Sequence, residues 1–306
     1  MDIQFPKLFI TGMGRSGTHW LLHLLLQHPQ TVGLQTESKL YSVFGDYLGT
    51  SSLPTGSGGK MTQIKHKLKR YFEQRFPVPS SQEEAWFSML DDYNAFEAGT
   101  RLKAFVTNDA LVEMINRARN EHEALSKAVQ SIIDQILVQF YSSQTTDHSK
   151  TLVEKTPRHL FYLPHIFDHF SDAKAIILVR DVVGYCESLT ALSKQGISWS
   201  PSETFQQIQL WKDAAQYTQK LMQSSLYNGK ILLVKMENLR HALSHEMQQI
   251  LDFASLDSSA DILQHIVSKS KEINRSKEEA QLPLSQELKE TMLSETKRER
   301  QFLGYA

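Results

Sequence analysis

The sequence predicts an α/β fold, a parallel sheet flanked by helices with a mostly helical insertion, and three observations carry that prediction. A short apolar run, a glycine-containing turn and a strongly apolar helix open the chain within 28 residues, the start of a βαβ unit. A continuous apolar run at 175–179 has the character of a strand covered on both faces. Short apolar runs then alternate with stretches of helical period, without internal repeat. The 306 residues, 41% hydrophobic and 22% charged, suit a soluble globular chain with a sizeable core. Lys and Arg number 33 against 34 Asp and Glu, which excludes a globally basic nucleic-acid binder but leaves room for a local basic pocket. One cysteine, Cys186, excludes a disulfide framework and a multi-cysteine zinc site, and fits a reducing compartment.

Each element follows from its local pattern. Leu8-Phe9-Ile10, bounded by Pro6 and Gly12, reads as a buried strand, and Trp20 to Leu26 as an apolar helix ending near His28-Pro29. Residues 32–48 read as an irregular connection carrying Glu37, and 49–60 as a flexible Ser/Gly-rich loop. Helical periodicity covers 61–76 and 108–142. Further strands are expected at 151–153, 175–179 and 231–234, a helix around 244–255, and a last helix from Ser285 as N-cap to Gly304 as C-cap. The expectation is one domain over 1–306, with 45–150 a helical elaboration. No run of about 18 apolar residues is present, so no transmembrane segment is expected. The N-terminus enters a strand pattern without a signal-peptide core, which makes the cytoplasm the expected compartment.

The turn after the first strand carries chemistry. In Thr11-Gly12-Met13-Gly14-Arg15-Ser16-Gly17-Thr18, backbone N–H groups at a helix N-terminus form an anion cradle that glycines let a phosphate approach. Gly12 and Gly17 have Walker spacing, but Thr18 stands where the Walker lysine belongs, which argues against γ-phosphate transfer from Mg-ATP. Arg15 still offers a fork of donors to an anion.

Arg15-Ser16-Gly17-Thr18 with the preceding Gly14, followed by an apolar helix and His28-Pro29, resembles the 5′-phosphosulfate loop of sulfotransferases that use 3′-phosphoadenosine 5′-phosphosulfate (PAPS). That family has a P-loop-NTPase-like fold, and the resemblance is greatest to its glycan, protein-tyrosine and bacterial branch. It implies that Gly14, Arg15, Ser16, Gly17 and Thr18 hold the 5′-phosphosulfate, with His19 where Thr or Ser is more usual. Arg180 at a strand end and Ser188 eight residues later match the family's 3′-phosphate motif. Lys155, in Val153-Glu154-Lys155-Thr156-Pro157, matches the lysine that stabilises charge on the transferring sulfuryl group. Glu37, eight residues past Pro29, matches the general base of the glycan and tyrosine branches. Glu154 is the rival carboxylate, expected instead to brace the phosphosulfate loop.

The late stretch Val234 to Leu239 also resembles the family, with Met236 where an aromatic is common, and Trp211 belongs with it. Arg275 and Lys277 fall where relatives fold a loop over the nucleotide. The function so implied is sulfuryl transfer from PAPS to a hydroxyl of a glycan or small-molecule acceptor, yielding 3′,5′-ADP, with Glu37, Lys155 and Arg15 catalytic. Sulfuryl transfer requires no metal, and no nucleic-acid partner is expected. The alternatives are a P-loop-type small-molecule kinase and a catalytically inactive nucleotide-binding scaffold. The resemblance puts the elaboration 45–150 on the acceptor side, and basic helix 61–76 within it is either a solvated face or a contact for an anionic acceptor, carrier protein or membrane surface.

Overall fold

The computed structural model describes residues 4–44, 48, 102–122, 124–197, 200–274 and 283–305, and among them five strands form one parallel sheet. The strands are Lys7–Gly12 (β1), Thr31–Gly33 (β2), Thr151–Lys155 (β3), Lys174–Val179 (β4) and Ile231–Lys235 (β5), in the order β2-β3-β1-β4-β5. Ile10 pairs with Lys155 on one side and Ile176 on the other, and Gly12 pairs with Leu178. The carboxyl ends of β3, β1 and β4 therefore lie side by side, the place where open parallel sheets build their sites.

Both faces of the sheet are covered. Leu8, Ile10, Val153, Ile176, Leu178 and Val234 point into a core shared with helices Thr18–Leu25 (α1), Leu243–Ala254 (α9) and Ala260–Asn274 (α10). Phe9, Leu152, Ala175, Ile177 and Val179 alternate with them and face the other layer. That layer includes Leu40–Phe44 (α2), Asn108–Glu121 (α3), Leu125–Gln144 (α4), Leu163–His169 (α5), Val182–Lys194 (α6) and Thr204–Met222 (α7). Helices on both faces explain why the strands read as continuous apolar runs. The remaining helices are Met236–His241 (α8), Gln286–Glu295 (α11) and Lys297–Phe302 (α12).

The expected α/β class with a parallel sheet is therefore the observed one, with several local differences. The connection after α1 contains a strand and a short helix, β2 and α2. β2 is only three residues long and takes its hydrogen bonds from β3 rather than from any marked strand propensity. The helical stretch at 108–142 is two helices broken at His122, the first capped by the Thr107 side chain accepting from Ala110 N at 3.2 Å. Ser285 does cap the final helical stretch, accepting from Leu288 N at 3.3 Å. That stretch breaks at Thr296, whose hydroxyl donates back to Met292 O at 2.6 Å, a bond that bends helices. Gly304 follows α12 at φ 75°. Among the described residues no helix is long and apolar enough to cross a membrane. The Ser/Gly stretch 49–60, the basic helix expected at 61–76, and Arg275 and Lys277 lie outside the described residues.

Gly12 ends β1 at φ 129°, and a Cβ there would lie 2.1 Å from the Leu178 carbonyl oxygen. Backbone on the neighbouring strand cannot yield as a side chain would. Gly12→Ala is accordingly expected to destabilise the protein by about 3 kcal/mol or more in urea unfolding. A wild-type midpoint for this variant would contradict the packing described.

Candidate active site

The glycine turn is rooted on β4. Met13 N donates to Leu178 O at 3.1 Å, and Ser16 Oγ lies 3.0 Å from the same oxygen and 2.5 Å from Met13 O. Ser16 is fully buried, so its hydroxyl hydrogen serves the turn and not an open face. Arg15 stands at φ 68° and Gly17 at φ 87°, a pair of left-handed residues that reverses the chain into α1. Gly17 is also required for space, since a Cβ would lie 2.3 Å from Met236 Sδ. Met236, where the resembled family commonly has an aromatic, thus packs on the turn. The first helical bond runs from Leu21 N to Gly17 O at 3.0 Å, leaving the N–H groups of Gly17, Thr18, His19 and Trp20 at the helix mouth. Thr18 opens α1, 4% exposed, and its hydroxyl makes no hydrogen bond among the described residues. A Cβ on Gly14 would meet nothing within 4 Å, so the space before the turn is open. The donors gathered here are backbone N–H groups, a guanidinium and a hydroxyl, a set suited to an anionic oxygen cluster. His19 contacts His23 one turn on, Nε2 to Nε2 at 2.9 Å.

The second motif meets the first. Arg15 Nε donates to Ser188 Oγ at 3.0 Å, and Arg180 Nη1 donates to Arg15 O at 3.0 Å. Arg180 and Ser188 are both nearly inaccessible. Several groups fix the chain at Arg180. Trp211 Nε1 donates to Arg180 O at 2.8 Å, Glu237 Oε1 accepts from Asp181 N at 3.0 Å, and Asp181 Oδ1 caps α6 by accepting from Val183 N at 3.1 Å. Gly184 leaves room for the guanidinium, because a Cβ there would be 2.9 Å from Arg180 Nε.

The third pair sits at the end of β3. Lys155 Nζ lies 3.1 Å from Glu37 Oε1, joining residues 118 positions apart. Lys155 is buried, whereas the Glu37 side chain is 32% exposed and so reaches the open side. Glu154, next along the strand, points elsewhere and is buried among three donors. Its Oε1 accepts from Ser38 Oγ at 2.5 Å and Thr156 Oγ1 at 2.8 Å, and its Oε2 meets His159 Nδ1 at 2.9 Å. His159 Nε2 accepts from Tyr41 N at 3.1 Å, which places the ring proton on Nδ1, toward Glu154. Lys39 N donates to Thr156 Oγ1 at 3.1 Å.

Glu154 therefore braces the connection 38–41 that follows Glu37, and among the described residues none of its hydrogen bonds reaches the glycine turn. This corrects the expectation that it would brace that turn. The alternation of the strand sends Glu154 and Lys155 to different sides, and the residues after Glu37 are the polar ones on the Glu154 side. Ser38, Thr156 and His159 were not singled out in the sequence, although all three lie within five residues of a predicted site residue. Among the described residues no group of three or more His, Cys, Asp or Glu could hold a metal ion.

Burial alone would push the Glu154 carboxyl up, but the His159 ring and the hydrogen bonds from His159, Ser38 and Thr156 more than reverse this and hold its pKa below the ordinary 4.5. A carboxylate depressed in the folded state contributes stability that is complete above pH 4.5 and is lost as the pH falls through its lowered value. Glu154→Gln is expected to cost about 1–3 kcal/mol near neutral pH and to flatten the acid limb of the stability curve. Thermal unfolding of both proteins across that limb checks this, and an unchanged acid limb in the variant would contradict it.

The family model for the sulfotransferase family matches residues 6–260 of this chain. Among solved structures, the sulfotransferase domain from the curacin biosynthetic pathway superposes with a TM-score of 0.51 at 17% identity, covering 99% of both chains. A sulfotransferase from Mycobacterium avium gives a TM-score of 0.50 at 13% identity, over 96% of this chain and 76% of the other. No curated protein matches the sequence. These two structures share the fold, and the family model, which spans the glycine turn, Glu37, Lys155, Arg180 and Ser188, shows that the chain belongs to the sulfotransferase family.

Proposed function

We propose that the protein transfers a sulfuryl group from PAPS to an acceptor hydroxyl, in line, with Glu37 as general base. One observation carries this reading: three adjacent strands deliver the glycine turn, the Lys155–Glu37 pair and the Arg180–Ser188 pair to one edge of the sheet, with Arg15 hydrogen-bonded to the last of these. The N–H groups of Gly17 to Trp20, Arg15 and the Thr18 hydroxyl are suited to the 5′-phosphosulfate, with Gly14 leaving it space. Ser16 contributes by holding the turn's shape. Arg180 and the hydroxyl hydrogen of Ser188 are suited to the 3′-phosphate, a charge-assisted pair.

The donor supplies an activated sulfuryl group whose leaving group is 3′,5′-ADP. Glu37 takes the proton from the acceptor hydroxyl as the acceptor oxygen bonds to sulfur and the bond from sulfur to the bridging oxygen breaks. Lys155 has three donors, so it holds the Glu37 carboxylate and still meets charge on the sulfuryl oxygens. Arg15 and the helix N-terminus receive the charge left on the departing phosphate. The acceptor is a hydroxyl-bearing glycan or small molecule, which labelled PAPS and fractionated extract would identify.

Two outcomes are expected. The protein binds 3′,5′-ADP about ten- to a hundredfold more tightly than 5′-AMP by calorimetry, and Arg180→Ala removes most of that preference. Equal affinities in the wild type would defeat the assignment of Arg180 and Ser188. Glu37→Gln lowers kcat for sulfuryl transfer by about 10²–10⁴-fold while affinity for 3′,5′-ADP holds. Retention of near-normal kcat would remove Glu37 from its role, and binding of 3′,5′-ADP with no transfer by the wild type to any acceptor fraction would favour an inactive scaffold.

A further inference from the structure

The family model ends at residue 260, but the chain beyond it returns to the site. Helix α12 and the residues after it lie across the carboxyl ends of β4 and β5. Arg300 Nε donates to Asp181 Oδ2 at 2.9 Å, Lys235 Nζ donates to Gly304 O at 2.5 Å and lies 5.0 Å from the Tyr305 ring centroid, and Tyr305 OH donates to Glu237 Oε2 at 2.8 Å. Burial and the neighbouring Glu237 both push the Tyr305 hydroxyl pKa up, so it stays a donor to that carboxylate. Preceding it, α11 places Lys289 Nζ 3.0 Å from Glu187 Oε1.

The two acidic residues held from this side are placed tellingly. Asp181 follows Arg180, and Glu187 precedes Ser188. Glu237, the carboxylate that takes Tyr305, also accepts from Asp181 N at 3.0 Å. The Arg180–Asp181 peptide is thus fixed by Trp211 at its carbonyl, by Glu237 at its N–H and by Arg300 at the Asp181 side chain. Arg300 and Lys289 make partly buried ion pairs, less screened than surface ones.

We propose that the C-terminal helices are a positioning frame for the 3′-phosphate pair, in which Arg300 and Lys289 set Arg180 and Ser188 through the residues beside them. Neither Arg300 nor Lys289 touches the phosphate. Their effect is on the geometry of the donors that do, a matter in which a small displacement weakens a charge-assisted hydrogen bond more than it weakens the fold. The inference rests on the reading of Arg180 and Ser188 as the 3′-phosphate site.

The test is calorimetric titration of the full-length protein with 3′,5′-ADP and with 5′-AMP, for the wild type, Arg300→Met, Arg300→Lys and Lys289→Met. Arg300→Met is expected to lower 3′,5′-ADP affinity about tenfold and leave 5′-AMP affinity unchanged, with Lys289→Met acting in the same direction and Arg300→Lys recovering part of the loss. Parallel loss for both nucleotides marks a general structural role and overturns the proposal, as does an unchanged ratio in both Met variants. Should Arg300→Met fail to fold, Lys289→Met and Arg300→Lys still decide between these results. A wild type that binds the two nucleotides equally is a different failure, one that removes the 3′-phosphate reading itself and the frame with it.

Discussion

The carbonyl of Leu178 is the point from which the site hangs. It belongs to β4, yet its oxygen lies within hydrogen-bond distance of Met13 N and Ser16 Oγ in the turn that follows β1, with Gly12 pressed against it too closely for any side chain. The paired strands β1 and β4 are thereby locked at their ends. The lock forces the next residues into left-handed backbone at Arg15 and Gly17 and turns the amides of α1 toward the open edge. It also brings Arg15 within reach of Ser188, on the helix that β4 leads into. Without this anchor the anion cradle and the Arg180–Ser188 pair would be two separate features of the sheet edge.

Charge at these strand ends is arranged in two layers. Lys155, Arg15 and Arg180 are cations at or just beyond the carboxyl ends of β3, β1 and β4, and Glu37 is the carboxylate paired with Lys155. Behind them, Glu154, Asp181, Glu187 and Glu237 are each engaged by donors of their own, from His159 and Ser38 on one flank to Arg300, Lys289 and Tyr305 on the other. Glu154 is buried and the other three are half-buried, and carboxylates withdrawn from water are costly unless satisfied, so these networks fix the backbone they belong to. The Glu154 network fixes the connection beside Glu37, and the Asp181–Glu237 network fixes the peptide of Arg180.

Much of this was legible in the sequence. The apolar runs at 8–10 and 175–179 are the interior strands β1 and β4, covered on both sides, and such strands leave an unambiguous trace, while the run at 231–234 marks the edge strand β5 by its four successive apolar residues. The spacing of Gly12 and Gly17 marks the turn because only glycine fits both places. Lys155 and Arg180 stand at or just beyond strand ends and Ser188 on the helix that follows, and all three could be named because they match motifs of the family the sequence resembles. What was not legible has physical causes. β2 is a three-residue strand made by pairing with β3, so no local pattern betrays it. The partners of Glu154 are short polar side chains whose roles depend on the fold of another segment. Arg300 meets Asp181 across 119 residues, and nothing in the local sequence of either points to the other. Met236 looked like a departure from an aromatic position, but its flexible thioether fits against Gly17, where the turn has no side chain of its own.

The most direct measurement is a crystal structure of the protein with 3′,5′-ADP. The expected result is the 5′-phosphate at the N–H groups of Gly17 to Trp20 and the 3′-phosphate within hydrogen-bond distance of Arg180 and Ser188, with the Leu178 anchor unchanged. A nucleotide bound with its 3′-phosphate away from Arg180 and Ser188, or with its 5′-phosphate away from the mouth of α1, would contradict the assignment of this sheet edge as the donor site.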